Sequence, residues 1–162
     1  MNMRLLHSTE AEQAILGGVL LDNNAIDRIG DVITEADFYT VDHAHIYGAM
    51  RALSADGKPV DIVSLAELLE REGTLDAVGG IAYLGELVQN VPTAANIVHY
   101  AGIVRDRRIE RNLLTAGERM MDLARDTGPV SDRLDRAQSI IMGLTETAAK
   151  GEAQPIGSLL LR

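Results

Sequence analysis

Hydrophobic positions along this chain recur every three or four residues, which is the period of one face of an α-helix. A polar start at Ser8 leads into a broad apolar stripe that ends at Leu21. Thr9 and Glu12 have the spacing of a capping box, so the first helix is predicted to begin here. A second helix is predicted over 25–33, because its isoleucines share one helical face.

Capping residues and glycines predict three further helices in the first two thirds of the chain. The third begins at Asp42, its predicted N-cap, and runs to about 55. The fourth begins after Asp61, its predicted N-cap, and ends before Gly73. The fifth covers 81–89.

The longest uninterrupted helical pattern covers 94–126, and the turn Gly128-Pro129 separates it from a return helix that ends near 149. Apolar residues on both arms alternate between spacings of three and four, as in helices that pack together along a heptad seam. The predicted seam consists of Leu113, Gly117, Met120 and Ala124 on the outgoing arm and Leu134, Ala137, Ile141, Leu144 and Ala148 on the return arm.

These elements predict an all-α protein in which a compact helical head is followed by a long antiparallel helical hairpin. No segment has the period of two that a half-buried strand requires, and aromatic residues make up only 3% of the chain. We expect the head over 1–104 and the hairpin over 105–149. Residues 150–162 are expected to form a linker leading to another element.

The charge of the chain is concentrated in the predicted head. The 162 residues carry a formal net charge of −9, which divides into −10 over 1–104 and +1 over 105–162. An acidic head repels phosphates, so we expect it not to bind nucleic acid. The chain has no cysteine and no apolar run long enough to span a bilayer, which favours a cytoplasmic protein without disulfides or thiolate metal sites.

Candidate catalytic chemistry is almost absent. Neither lysine, Lys58 or Lys150, lies in the glycine-rich pattern of a Walker A motif, so ATP hydrolysis is not expected of this chain. His43 and His45 would point about 200° apart on a helix, which favours structural roles over shared metal ligation. No catalytic residue, cofactor or metal ligand is therefore assigned.

One basic cluster lies where the head joins the hairpin: Arg105, Arg107, Arg108 and Arg111. Three interpretations remain open for it. The first is a solvated face of salt bridges with the interleaved acidic residues, the second is contact with an acidic surface on a neighbouring subunit, and the third is nucleic acid.

Both hairpin arms carry apolar residues beyond those that one seam can bury. A second apolar face on a two-helix unit requires a further partner, and methionines suit a surface that repacks against one. Docking onto the head is one possibility, and association with another chain is the one we favour. The predicted protein interface comprises Ile109, Leu113, Leu114, Met120, Met121, Leu134, Ile141 and Leu144.

Six blocks over about 8–104 resemble the N-terminal domain of bacterial DnaB-type replicative helicases. The residues that carry the resemblance are, in order, Glu10-Ala11-Glu12-Gln13, Leu16-Gly17-Gly18 with Leu20-Leu21-Asp22, Asp37-Phe38-Tyr39 with His43 and Ile46, Pro59 with Asp61 and Leu65, Gly79-Gly80 with Tyr83-Leu84 and Leu87, and Pro92-Thr93-Ala94-Ala95-Asn96 with Tyr100-Ala101 and Ile103-Val104. The hairpin is similar in pattern only.

The resemblance implies an assembly and docking module of a hexameric helicase. In that family the hairpins pair, a trimer of dimers forms a collar, and a DnaG-type primase docks on the collar. A helicase loader is a further expected partner, and 150–162 would then begin the linker to a RecA-like ATPase domain. ATP and magnesium would belong to that missing domain of an ATP-dependent 5′–3′ DNA helicase, and not to this chain.

Two other interpretations stay open on the residues alone. One is a stand-alone phage or plasmid regulator that mimics the helicase collar. The other is a small helical enzyme that uses His43, His45 and nearby carboxylates, and a stoichiometric bound metal would favour it.

Overall fold

The computed structural model describes residues 7–149, and within that range it confirms the all-α prediction. The α-helices are α1 (Thr9–Leu21), α2 (Ala25–Ile29), α3 (Val41–Ala55), α4 (Ile62–Arg71), α5 (Gly80–Gln89), α6 (Ile97–Arg125) and α7 (Val130–Ala149), with a short 3₁₀ helix at Glu35–Asp37 between α2 and α3. The predicted linker over 150–162 lies outside the described residues. The chain divides between Arg108 and Ile109 into two compact units.

The predicted start of α1 is wrong in its capping residues. Ser8, in extended conformation, is the N-cap, and its hydroxyl accepts a hydrogen bond from the amide of Ala11 at 3.3 Å. Glu12 does not close a capping box with Thr9, because its side chain is buried among groups from other elements. From the spacing alone, a glutamate in the first turn that closes a capping box cannot be distinguished from one that is buried against other elements.

The second helix is shorter than the predicted 25–33. It ends at Ile29, whose carbonyl oxygen accepts from the amides of both Val32 and Ile33 in the turn that follows. Gly30 favours this ending, since glycine has a lower helix propensity than any residue of α2. Ile33 is nevertheless buried as its pattern predicts.

The predicted N-cap of α3 is wrong, because the helix begins at Val41 and its N-cap is Thr40, not Asp42. The limits predicted for α4 are confirmed. The Asp61 carboxylate accepts from the amide of Ser64 at 2.7 Å, as an N-cap does. Beyond the helix, Gly73 has a φ of +74°, a left-handed conformation that glycine adopts without steric cost.

The first unit is built around a core of mostly aliphatic side chains contributed by α1 to α5 and by the start of α6. The packing is closest where α1 crosses α5. A Cβ placed on Gly17 would lie 2.2 Å from the Leu87 carbonyl oxygen and 2.6 Å from the Val91 side chain. Glycine at this position is therefore required by the close approach of the two elements.

Candidate protein-interaction site

The second unit contains the hairpin, in which α6 and α7 pack together with an antiparallel arrangement. Within this unit, the buried side of α6 consists of Ala116, which is 6% exposed, with Met120 and Leu123 half-buried. On α7, Ile140 and Leu144 are half-buried, and both line a groove that also contains Ala116. These apolar residues form the seam between the two arms.

The predicted register of this seam is therefore partly wrong. Met120 and Leu144 lie where the heptad pattern predicts, but Leu113, Leu134 and Ile141 are each more than half exposed. The error has a simple cause: each arm carries apolar residues over more than one face, and periodicity does not say which face meets the other arm.

The exposed apolar residues give the hairpin its candidate interface. Five of the eight predicted interface residues are more than half exposed, namely Leu113, Leu114, Met121, Leu134 and Ile141. The other three, Ile109, Met120 and Leu144, are half-buried. The structure adds Val130 and Met142, which are also more than half exposed and which the predicted set missed. Met142 is seen in the sequence as an apolar residue off the predicted seam.

A second groove lies near the turn between α6 and α7, and it is lined mainly by charged residues. Its volume is about 760 Å³, and its walls carry charges of both signs, including Arg119, Asp122, Asp135 and Arg136. Its apolar surface is limited to Leu123 and Ile140. Opposite charges facing one another across a groove form a solvated rim rather than a site for one ionic ligand.

A buried polar cluster in the first unit accounts for His43. Glu12 on α1 and His43 on α3 are 1% and 2% exposed, and Glu12 Oε1 lies 2.9 Å from His43 Nδ1. The other ring nitrogen, Nε2, lies 2.6 Å from the Tyr83 hydroxyl on α5. The amides of Tyr39 and Thr40 also donate to the Glu12 carboxylate, at 2.9 and 3.2 Å.

This cluster keeps a carboxylate ionised inside the head. Burial acts to raise the pKa of Glu12. The hydrogen bonds from His43 and from the amides of Tyr39 and Thr40 act in the opposite direction, as does electrostatic attraction to His43. Together they outweigh burial and hold the pKa below its ordinary value of 4.5. The arrangement joins α1, α3 and α5, so its role is structural. His45 is exposed, as expected for histidines two residues apart on one helix.

Part of the basic cluster has a partner inside the first unit. The Arg108 guanidinium lies 3.0 Å from an oxygen of Asp37, which is 7% exposed and also accepts from the Thr34 amide at 2.6 Å. Arg108 thus ties α6 to the 3₁₀ helix. A partly buried ion pair with a residue of another element is none of the three interpretations given for the cluster, so the sequence missed this role of Arg108.

Among the residues from His7 to Ala149, no group of three or more histidine, cysteine, aspartate or glutamate side chains is placed to hold a metal ion. No helix there is both long enough and apolar enough to cross a bilayer.

Known proteins similar to this chain are replicative DNA helicases, which it matches over part of their length. Residues 4–106 match the family described as the DnaB-like helicase N terminal domain. The chain is 40% identical over 146 residues to the replicative DNA helicase DnaB of Buchnera aphidicola, an alignment that covers 89% of this chain and 32% of that protein. It is 38% identical over 158 residues to the replicative DNA helicase DnaB of Haemophilus influenzae, covering 94% and 34% respectively. The chain thus spans about a third of the length of the curated relatives it matches.

Solved structures agree on the fold. The crystal structure of the N-terminal domain of DnaB helicase from Mycobacterium tuberculosis aligns with a TM-score of 0.82 at 38% identity, and covers 87% of this chain and 99% of that one. A structure of a DnaB-like replicative helicase, described with its interactions with primase, aligns with a TM-score of 0.70 at 24% identity and covers 86% of this chain and 31% of that one. At that identity the second match shows the fold alone.

Proposed function

Because this chain belongs to the DnaB-like helicase N terminal domain family, we propose that it is the assembly and partner-docking module of a hexameric replicative helicase. In this proposal it pairs with a second copy, three such pairs form the N-terminal collar, and the collar recruits primase. The longer parent protein unwinds DNA at the fork, in the cytoplasm of a bacterium.

The observation that supports this proposal is the exposure of large apolar side chains on the hairpin. Leu113, Leu134 and Ile141 are each more than half exposed although the head has a well-packed core. Fully burying one such side chain stabilises an assembly by about 1.5–3 kcal/mol, so several of them supply the driving force for association. Monomeric soluble proteins rarely expose contiguous apolar patches of that kind without a partner.

The partner assignment follows from the relatives. One structural neighbour is a DnaB-like replicative helicase, solved in a study of its interactions with primase. We extend that partner to this chain, and we expect a helicase loader to act on the assembled ring. DNA is not expected to bind here, because the head is strongly acidic. ATP and magnesium are assigned to the ATPase domain of the parent.

Self-association is tested by light scattering on the chain over a range of concentrations. Dimers or larger oligomers are expected, and Leu113→Glu combined with Ile141→Glu is expected to shift the protein towards monomer. Because both side chains are exposed, the double substitution should leave the helix content nearly unchanged. A strict monomer at high concentration would contradict the proposal.

The matched control changes exposed polar residues of the same two helices to the same charge. Thr115→Glu with Ser139→Glu adds two carboxylates to the hairpin without removing an apolar contact. We expect this variant to assemble like the unchanged chain. Equal loss of assembly in both double variants would show that charge repulsion, and not the apolar surface, is responsible.

Primase docking is tested by titrating the assembled chain with the C-terminal domain of the cognate primase in a calorimeter. We expect saturable binding that Leu113→Glu with Ile141→Glu weakens and the control pair preserves. Saturable binding with no sensitivity to the hairpin variants would place the primase site elsewhere on the chain. If the primase domain did not bind to the assembled oligomer, the proposal that primase is a partner would be contradicted.

A further inference from the structure

The contacts that join α1, α3 and α5 around His43 also arrange three side chains for proton transfer. Glu12 Oε1 lies 2.9 Å from His43 Nδ1, and His43 Nε2 lies 2.6 Å from the Tyr83 hydroxyl oxygen. A hydroxyl in hydrogen-bond reach of an imidazole, whose other nitrogen is held by a carboxylate, is the arrangement that activates an oxygen nucleophile in proteins. The function proposed above makes no use of it.

The hydrogen bonds determine which nitrogen of His43 accepts a proton. The Glu12 carboxylate only accepts, so the proton of the neutral ring lies on Nδ1, and Nε2 is left as an acceptor. The side-chain amide of Gln13 donates to the Tyr83 oxygen at 3.3 Å, which leaves the proton of the hydroxyl for Nε2. His43 is therefore placed to act as a general base towards Tyr83, and the ionised Glu12 stabilises the imidazolium that results.

Tyr83 is also partly open to the solvent. Its side chain is half-buried, whereas Tyr47 is fully buried and closed to any reagent. Tyr100 is half-buried like Tyr83, but among residues 7–149 no histidine nitrogen is hydrogen-bonded to its hydroxyl. Tyr83 thus combines access with a base, and its partial burial favours a small reagent over a large one.

We propose that Tyr83 is a site of covalent acylation by small activated acyl donors, with His43 as the general base and Glu12 as the group that orients it. The Tyr83 oxygen forms a bond to the acyl carbon, the bond between that carbon and its leaving group breaks, and the phenolic proton passes to His43 Nε2. His43 then gives this proton to the leaving group and returns to its neutral form. The product is a tyrosine ester, and nothing is oxidised or reduced.

Acylation of Tyr83 would weaken the joint in which the tyrosine takes part. An ester oxygen carries no proton, so the modified side chain can no longer donate to His43 Nε2. The link between α5 and the other two helices is then lost, and the acylated chain should melt at a lower temperature than the unmodified chain. This proposal does not depend on the role of the hairpin, because the three groups lie within the first unit.

The probe is N-acetylimidazole, applied to the full 162-residue chain at neutral pH, with the acetylated residues identified by peptide mass spectrometry. We expect Tyr83 to be acetylated at least about tenfold faster than Tyr100. The difference should disappear in concentrated urea, where the three helices no longer hold the groups together. Acetylation of Tyr83 that is no faster than that of Tyr100, or a difference that persists in urea, would overturn the proposal.

A matched pair of histidine variants tests the base. His43→Asn keeps an amide donor for Glu12 but removes the nitrogen that faces Tyr83, so we expect the acetylation rate of Tyr83 to fall to that of Tyr100. The control is His45→Asn, which changes an exposed histidine of the same helix and should leave the rate as it is in the unchanged chain. Fast acetylation of Tyr83 in folded His43→Asn would overturn the proposal.

Two further measurements keep the test decisive if His43→Asn does not fold. Tyr47 is fully buried, so its acetylation reports loss of the fold in any variant. In the unchanged chain, the transfer of a proton to His43 should make the acetylation of Tyr83 slower in heavy water than in ordinary water, with a smaller effect at Tyr100. Equal solvent isotope effects at the two tyrosines would show that no base acts on Tyr83, and would overturn the proposal.

Discussion

The guanidinium of Arg133 on α7 donates a hydrogen bond to the carbonyl oxygen of Leu123 on α6, with 3.1 Å between Nη1 and the oxygen. The same side chain reaches the carbonyl oxygens of Ala124 and Gly128, at 3.3 and 3.0 Å. The last carbonyls of a helix have no partner within the helix, and they form the negative end of its dipole. One cation from the return arm therefore caps the outgoing arm and closes the turn.

Arg133→Met should destabilise the hairpin, because it removes this cap and leaves the apolar stem in place. We expect a loss of about 1–2 kcal/mol in the free energy of unfolding, measured by urea unfolding followed by circular dichroism. Arg136→Met is the matched control: Arg136 is an exposed arginine three residues further on. Equal effects in the two variants would show that the hydrogen bonds of Arg133 contribute nothing specific.

Glu12→Gln should lower the stability of the head and change its dependence on pH. The folded pKa of Glu12 lies below 4.5, so its ionised carboxylate stabilises the fold above that pH. This contribution is lost as the pH falls through the lowered pKa. The difference in unfolding free energy between the two proteins should therefore be widest near neutral pH, at about 2–4 kcal/mol, and should narrow below pH 4.5.

The measurement is urea unfolding repeated between neutral and acidic pH. Glu10→Gln, an exposed residue of the same helix, is the control and should cost little at any pH. If the difference in unfolding free energy between Glu12→Gln and the unchanged chain stayed constant with pH, it would contradict an ionised, hydrogen-bonded Glu12.

Two tyrosine-to-phenylalanine changes should act in opposite directions. The Tyr83 hydroxyl lies 2.6 Å from His43 Nε2, so Tyr83→Phe removes a hydrogen bond and should cost about 1–2 kcal/mol. Tyr47 is fully buried, its hydroxyl has no hydrogen-bond partner within residues 7–149, and burial raises its pKa to about 12. Tyr47→Phe should therefore be neutral or stabilising by up to about 1 kcal/mol.

Thermal and urea unfolding of the two variants side by side test this contrast. Both changes delete one oxygen from one tyrosine, so each serves as the control for the other. A clear loss of stability in Tyr47→Phe would show that its hydroxyl has a partner after all, such as a bound water.

Gly17→Ala should destabilise the head strongly, because the added methyl group would lie 2.2 Å from the Leu87 carbonyl oxygen. We expect a loss of about 1–3 kcal/mol, as for overpacking in a core. Gly85→Ala is the control, since no atom lies within 4 Å of a Cβ added there. It should stabilise α5 by about 0.5–1 kcal/mol through the higher helix propensity of alanine. Thermal unfolding measures both, and equal melting temperatures would contradict the close approach of α1 and α5.

Local signals in the sequence predicted the helices and most of their ends. Asp61 was predictable as an N-cap, because a capping bond joins residues three apart and needs no distant partner. The turn after α6 was predictable from Gly128-Pro129 for the same reason. Where the local signal was ambiguous the prediction was wrong, as with the extent of α2 and the role of Glu12.

By itself, the sequence determined the helical class, the order of the elements, the absence of a Walker A motif and the resemblance of its motif blocks to the helicase family. Each of these depends on residue types and on spacings of a few positions. Only the tertiary structure decided which face of each hairpin arm is buried, that Glu12 reaches His43 on another helix, and that Asn23 holds the backbone of Val60 through two hydrogen bonds of 2.8 and 2.6 Å. The physical reason is that these contacts join residues far apart in the chain, and helical periodicity fixes the angle of a side chain about its own helix but not the neighbour it meets.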